Sequence, residues 1–458
     1  MVMGDIMLDI QIHGSIEKMA NEAPIPVLHH KFQKNNLGGC GNVLMNLQGL
    51  GCSRLFLFSM IGNDTSGKEI QDILGKYPEV FPKLCIANEY CTTVKTRGFS
   101  NKKIIFRFDT EQKTSLLEKH IAYCKESIDN VLSENKVDSI IFSDYNKGFL
   151  IKELTQYVIA KANTYGIPTF VDPKVDYTRY VGCTVFKPNI KEMDDIFGIK
   201  YRYESLRLIQ ETIKEKVACK ETILTLSENG ISYFTETGEL LHKKAVSTEV
   251  CDVTGAGDVV MSIVAYYYKR LEKPSLIHLA TWIGTHSVKH VGTYIVKKSD
   301  ILQAYRHLKE TKIITRNSLI ELDVPFVITN GCFDIVHEGH IALFNYCKSI
   351  VPENGSVVVA LNGDDSIRRL KGSTRPINSL QSRIALLNQF ESIDWIVVFD
   401  EDTPYKLYSQ IKPTILVKGG DYSVDEIVGR EFCRDVKIFT YIPGKSSTGI
   451  IKRIQEIK

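Results

Sequence analysis

The chain has 458 residues, 43% hydrophobic and 24% charged, the proportions of an ordinary folded protein, which exclude global disorder and collagen-like repeats. Its 57 basic and 54 acidic side chains leave a formal charge of +3, too near neutrality for a partner that is nucleic acid or an anionic membrane surface. No apolar run approaches the roughly 20 residues that span a bilayer, Asp5 and Asp9 break up any N-terminal secretory signal, and 11 cysteines are scattered with no C-x-x-C pair, so reduced thiols and a cytoplasmic location are expected.

Short apolar runs alternate with longer amphipathic stretches, the pattern of βαβ units around a mostly parallel sheet. Gly4-Asp5 and Asp9 lie on or just after a first strand. Two stretches have another texture, 11–27 and 92–108. In the second, VKTRGFSNKKIIFRF alternates about a polar centre at 100–103 and predicts a β-hairpin projecting from the main sheet. Gly38-Gly39-Cys40-Gly41-Asn42 opens an amphipathic helix. Strands are predicted at 139–142, 169–171, 184–186 and 222–226, with helices at 150–165 and 204–217. After SDILQAYRHLKE a boundary is expected near 310–323, giving domains 1–312 and 323–458 of ordinary size. Strands at 326–328, 357–361, 395–399 and 415–417 make the second domain α/β as well. No internal repeat or low-complexity tract interrupts either part.

The most informative motif is Asp252-Val253-Thr254-Gly255-Ala256-Gly257-Asp258, followed by the apolar VVMSIVAYYY. Small residues before a helix let backbone N–H groups converge, and the helix start adds partial positive charge, so the turn can hold a nucleotide's phosphates. Asp258 falls in the first helical turn. A sugar hydroxyl is a poor nucleophile at neutral pH, and a carboxylate placed to accept its proton is what phosphoryl transfer to it requires. Alone, the motif reads better as a capping aspartate and turn-forming glycines. It has company: short carboxylates at Asp5 and Asp9 suited to sugar hydroxyls, and Lys187-Pro188-Asn189 with Glu192 after a strand end, the ligand edge of an open α/β sheet.

The di-glycine motif, Asn189-Ile190-Lys191-Glu192 and the G-A-G-D motif, in this order, resemble the ribokinase-like (phosphofructokinase B) family over the whole first part of the chain. The resemblance implies that Asp258 is the catalytic base and that Gly255, Ala256 and Gly257 form the anion hole. Asn189, Glu192, Thr225, Gly230 and Asp252 are then expected near ATP and its Mg²⁺, and Asp5, Asp9, Gly38, Gly39 and Asn42 at the sugar. The hairpin corresponds to that family's lid, which pairs between subunits, so a homodimer is implied.

In the second domain, FVITNGCFDIVHEGHIALF places a strand, a glycine turn and then His337-Glu338-Gly339-His340 at a helix start. Histidines at i and i+3 share a helical face. Zinc binding lacks a nearby third ligand, whereas a pair of core histidines stays open as an alternative. Gly339 between them suits close approach of a phosphate. The H-x-G-H motif resembles the cytidylyltransferase-like nucleotidyltransferases, and with it go Phe333 and Asp334, Asn362 and Asp364, Lys371 and Arg375, Lys418-Gly419 after a strand, and Ser447-Thr448 at the last helix. The resemblance implies catalytic roles for His337, His340 and Lys418 and nucleotide or phosphate contacts for the others, with no direct protein ligand to a metal. A phosphate acceptor arrives already anionic, its second pKa being about 6, so cationic groups and N–H donors suffice without a carboxylate base. Asp400-Glu401-Asp402 imitates the nucleophile motif of haloacid dehalogenase-type phosphatases, but Pro404 stands where that family has Thr or Val.

A ribokinase-like domain in front of an H-x-G-H domain resembles the bifunctional heptose-7-phosphate kinase and heptose-1-phosphate adenylyltransferase family. SDYNKG at 143–148, VDPK at 171–174, RLKGSTRP at 369–376 and DTPYKL at 402–407 also match. The family chemistry would be ATP-dependent phosphorylation at C1 of D-glycero-β-D-manno-heptose 7-phosphate, then AMP transfer to heptose 1-phosphate, with a separate C7 phosphatase acting between. Lys95, Arg97 and Arg107 on the hairpin are candidates for gripping the C7 phosphate; a basic solvent face is the equal alternative. Other sugar phosphates, or a first domain that only binds them, are the competing functions. The chain departs from the family at Cys40-Gly41, Gly363 and Gly449, where alanines, Ser and Asn are usual.

Overall fold

The computed structural model describes residues 1–101, 103–308, 312–321, 324–352, 355–420 and 423–439, and the chain divides into two compact units, Met1–Lys297 and Lys298–Lys458. The helix Lys298–Leu308, on the first domain's side of the expected boundary, groups with the second unit because Leu302 is buried among Ile314, Phe326, Ile328 and Trp395. Among the described residues no helix is long and apolar enough to cross a membrane.

The first unit carries strands β1 (Val2–Gly4), β2 (Ile6–Met19), β3 (Pro26–Gly39), β4 (Leu55–Gly62), β5 (Val80–Ala87), β6 (Val94–Ser100), β7 (Lys103–Thr110), β8 (Ile140–Ser143), β9 (Thr169–Asp172), β10 (Val185–Phe186), β11 (Glu221–Thr225), β12 (Ile231–Phe234) and β13 (Leu240–Lys243). Nine of them form one sheet in the order β13-β12-β11-β10-β9-β8-β1-β4-β5. It is parallel from β5 to β11, and β12 alone is reversed, pairing antiparallel with both β11 and β13. The central strands are continuous apolar runs, LFLFSMIG in β4 and IIFS in β8, buried at every position, as a sheet covered on both faces requires.

The other strands form a separate sheet, β3-β2-β6-β7. The expected hairpin is its β6–β7 half. The other half is a second, longer hairpin, β2–β3, and the two halves join through the parallel β2–β6 pair. Phe32, Ile104, Phe106 and Phe108 are exposed on this sheet.

The second unit is a five-stranded parallel sheet, β16 (Trp395–Phe399), β15 (Ser356–Asn362), β14 (Phe326–Gly331), β17 (Ile415–Gly419) and β18 (Asp435–Phe439), in that order. Strand order reverses between β14 and β17, which makes the carboxyl ends of those two strands the natural ligand crevice. The segment after 439, with Ser447 and Thr448 and the expected last helix, lies outside the described residues, as does Asp421.

Two candidate active sites

In the first unit Gly255 caps the helix Ala256–Tyr267 in a left-handed conformation, φ 78°. A side chain there would be strained, and its Cβ would lie 2.5 Å from Asn42 Nδ2. That close approach brings Asn42 onto the next carboxylate: its Nδ2 donates to Asp258 Oδ2 at 2.9 Å. The Tyr145 hydroxyl donates to Oδ1 and Oδ2 of the same group, at 2.8 and 3.0 Å. Burial pushes the Asp258 carboxyl up to about 7, the Asp172 charge adds to this, and Asn42, Tyr145 and Lys187 oppose it.

Asp258 opens into a cavity of about 1190 Å³ lined also by Gly255, Ala256, Gly257, Lys187, Thr225 and Gly230. Lys187 is buried and its Nζ is 2.9 Å from Asp172 Oδ1, beside the backbone of Gly257. The Asn189-x-x-Glu192 motif proves to be a capping box. Asn189 Oδ1 accepts from the Glu192 amide and Glu192 Oε2 accepts from the Asn189 amide, both at 2.9 Å. Glu192 lines the same cavity, and its Oε1 is 3.4 Å from Lys174 Nζ. Asp252 does not line the cavity. It ties the turn together by accepting from the amides of Thr254 and Gly292, both at 2.9 Å.

The sugar-side expectations divide. Asp5 is buried, and its carboxylate accepts from the amides of Tyr145, Lys147 and Phe149 at 3.0, 3.0 and 3.2 Å. Asn42 is on Asp258 instead. Gly39 caps the helix Cys40–Gly49, and Gly38 is needed because a Cβ would lie 2.6 Å from Asp9 Oδ2. Asp9 itself pairs with Arg97 at 3.3 Å. Strand register aligns Asp9 with Lys95 and Asp109, and Gln11 with Arg97 and Arg107, so all three basic candidates share one lid face. They differ in setting: Arg97 is buried, Lys95 Nζ lies 5.5 Å from the centroid of the Tyr145 ring, and Arg107 is half exposed in an ion pair with Asp109.

In the second unit His337 is the N-cap of the helix Glu338–Ser349 rather than part of its face. Its ring stacks on His340 with centroids 3.8 Å apart. The His337 amide donates to His340 Nδ1 at 3.4 Å, which leaves the proton of a neutral His340 on Nε2. Burial, and the nearby His337 and Lys371, lower the His340 pKa to about 4, so the ring is uncharged at pH 7. Positive charge comes instead from Lys418 at the end of β17, whose Nζ donates to Asn330 Oδ1 at 2.8 Å and whose pKa burial lowers. Gly419 follows it, and Lys371 is exposed at the end of the helix Asp364–Lys371. Among the described residues no group of three His, Cys, Asp or Glu side chains is spaced to hold a metal ion.

Four residues expected at the nucleotide are held by partners within the second unit. Phe333 is buried with Phe344, Leu361 and Leu387 and meets His340 edge-on. Asp334 accepts from the amides of Ile377 and Asn378 at 2.9 and 2.8 Å and pairs with Arg375 Nε at 3.0 Å, so it sets the Arg375 loop. The Asn362 side chain donates to Ser366 at 3.1 Å, and Asp364 pairs with Arg383 at 2.6 Å. The phosphatase-like acids are bound up too, Glu401 with Arg316 and Asp402 with Arg369, each at 2.7 Å.

Arg383 escaped the sequence reading. It is fully buried and donates to Cys332 O at 2.7 Å, Asn362 O at 2.8 Å and Asn378 O at 3.2 Å, as well as to Asp364. One guanidinium thus gathers the loops after β14 and β15. The available signal was its place on the apolar face, between Leu380 and Leu387 at i+3 and i+4 spacing. Tyr145 carried no comparable signal beyond lying in SDYNKG, and Lys187 was marked only by its place after a strand end.

Residues 1–299 match the pfkB family carbohydrate kinase model and residues 328–452 the cytidylyltransferase-like model. The chain is 36% identical to the bifunctional protein HldE of Aliarcobacter butzleri over 100% of its own length and 97% of the relative's. It is 36% identical to that of Helicobacter hepaticus with the same coverage, and 35% identical to that of Campylobacter fetus, with 99% of each chain covered. Escherichia coli phosphofructokinase-2 in complex with fructose-6-phosphate shares the fold of the first unit, with a TM-score of 0.53 at 15% identity over 67% of this chain and 98% of that one. The chain therefore belongs to the bifunctional HldE family, enzymes that join a carbohydrate kinase to a nucleotidyltransferase in one polypeptide.

Proposed function

We propose that the first unit transfers the γ-phosphoryl group of ATP to O1 of D-glycero-β-D-manno-heptose 7-phosphate. The second unit then transfers AMP from ATP to heptose 1-phosphate, releasing pyrophosphate and forming ADP-heptose. The observation that carries the kinase reading is Asp258: a buried carboxylate in the first turn of a glycine-capped helix, inside a cavity of nucleotide size, with a pKa near 7. A base tuned close to ambient pH takes an alcohol's proton most effectively. The amides around Gly255–Gly257 and the Lys187 ammonium are suited to the developing phosphate charge. Glu192 supplies the kind of carboxylate oxygen that Mg²⁺ takes through water; bound there with ATP, the ion would neutralise phosphate charge.

In the second unit the nucleophile is a phosphate oxygen, and no carboxylate base is required. The neutral His340 offers Nε2–H, while Lys418, Lys371 and Arg375 offer charge to the α-phosphate and the leaving pyrophosphate. Lys95 and Arg97 favour a grip on the C7 phosphate, with Arg107 opposite Arg97 on the edge strand β7. Because C7 must lose its phosphate between the two steps, a separate phosphatase acts between them. The apolar lid face supports a homodimer, and cytoplasmic work fits the substrates.

Asp258→Asn tests the assignment. Kinase turnover should fall by about 10²–10⁴-fold with AMP transfer unchanged; a kinase that keeps its rate removes Asp258 as the base.

A further inference from the structure

We propose that Tyr145 is a positioning residue for phosphoryl transfer: its hydroxyl holds the Asp258 carboxylate in its ionised form and in one orientation. This rests on the reading of Asp258 as the base. An ionised carboxylate offers about four lone-pair sites. Asn42 takes one on Oδ2, and the phenol lies across the edge of the group, 2.8 Å from Oδ1 and 3.0 Å from Oδ2. Oδ1 is left as the oxygen with capacity for an incoming hydroxyl.

The phenol is itself fixed from behind. Asp5 accepts from the amides of Tyr145, Lys147 and Phe149, so the loop carrying the ring is pinned to the root of the lid. Lys95 from β6 lies over the ring at 5.5 Å, and Asp9 and Asp172 also act on the hydroxyl. Asp258 is faced by Asn42 and Cys40 on one helix, by Asp172 at the end of β9 and by Lys187 after β10. Among these groups Tyr145 and Asn42 donate hydrogen bonds to the carboxylate. A donor to the charged form lowers a carboxyl pKa. Removing the phenol oxygen must therefore raise it, and with it the pH at which the base becomes available.

The test is the pH dependence of kinase kcat/KM for the full chain and for Tyr145→Phe, with heptose 7-phosphate and ATP. The acidic limb should move up by about one pH unit. The variant should then be about tenfold slower near pH 6 yet converge with the parent on the alkaline plateau. Titration of the sugar's own phosphate is common to both proteins and cancels in the comparison. Circular dichroism of both proteins at each pH corrects the rates for any acid unfolding of the variant, so reduced stability cannot imitate the shift. A loss equal at all pH values, or superimposable profiles, would overturn the proposal and leave Tyr145 a wall residue. Asp258→Asn measured alongside separates the two readings. If it is inactive while Tyr145→Phe is unchanged, only the role of Tyr145 falls; if it stays active, the base assignment falls and this inference with it.

Discussion

A carboxylate that accepts an alcohol's proton must be ionised beforehand, and the surroundings of Asp258 place that requirement inside the working pH range. Its pKa of about 7 means that kinase kcat/KM should fall by about tenfold for each pH unit below 7 and level off above it; a flat profile from pH 5.5 to 8 would contradict the assignment. His340 behaves oppositely. Already uncharged, with a pKa of about 4, it gives AMP transfer no reason to weaken between pH 8 and 7, where the kinase limb begins. His340→Ala and Lys418→Ala should each suppress pyrophosphate release while leaving kinase turnover intact. Arg383 acts on the same site through the backbone. Arg383→Leu would strip donors from Cys332 O, Asn362 O and Asn378 O and leave Asp364 without its cation. The expected cost is about 1–3 kcal/mol for a buried carbonyl left without its donor, read as a lower melting temperature of the second unit with the kinase unaffected.

Strands and helices were largely legible in the sequence because a parallel sheet buried on both faces writes itself as short apolar runs. The strand expected at 395–399 is observed as Trp395–Phe399, and that at 415–417 extends only to Gly419. The lid was half legible. Its β6–β7 hairpin announces itself through a polar turn, but β2 continues almost directly from β1, and a 14-residue strand paired with two partners has no turn at its start to mark it. Site residues followed a similar division. Motifs with glycine at a helix start singled out Asp258 and His340 as candidates, since a glycine turn is a local feature. Short acids near a motif were assigned to ligands when several, Asp5, Asp334 and Asp364 among them, hold neighbouring loops through partners that are distant in sequence. The exposed Phe106 and Phe108 belong to this scale as well. Phe106→Lys with Phe108→Lys should shift the sedimentation of a lid-paired dimer towards monomer; an unchanged sedimentation coefficient would place any dimer contact elsewhere.

The two units read as different solutions to one problem, transfer of a phosphorus group, and the difference follows from the acceptor. An alcohol needs a base, and the first unit presents one buried acid at the phosphate turn. A phosphate needs only charge and donors, and the second unit gathers lysine, arginine and neutral histidine at the switch between β14 and β17. The most direct measurement is mass spectrometry of the products formed from heptose 7-phosphate and ATP, with and without an added C7-specific phosphatase. Heptose 1,7-bisphosphate and ADP alone are expected without the phosphatase, with ADP-heptose and pyrophosphate appearing once it is added. No phosphorylation of the heptose, or ADP-heptose formed only from some other sugar phosphate, would contradict the account.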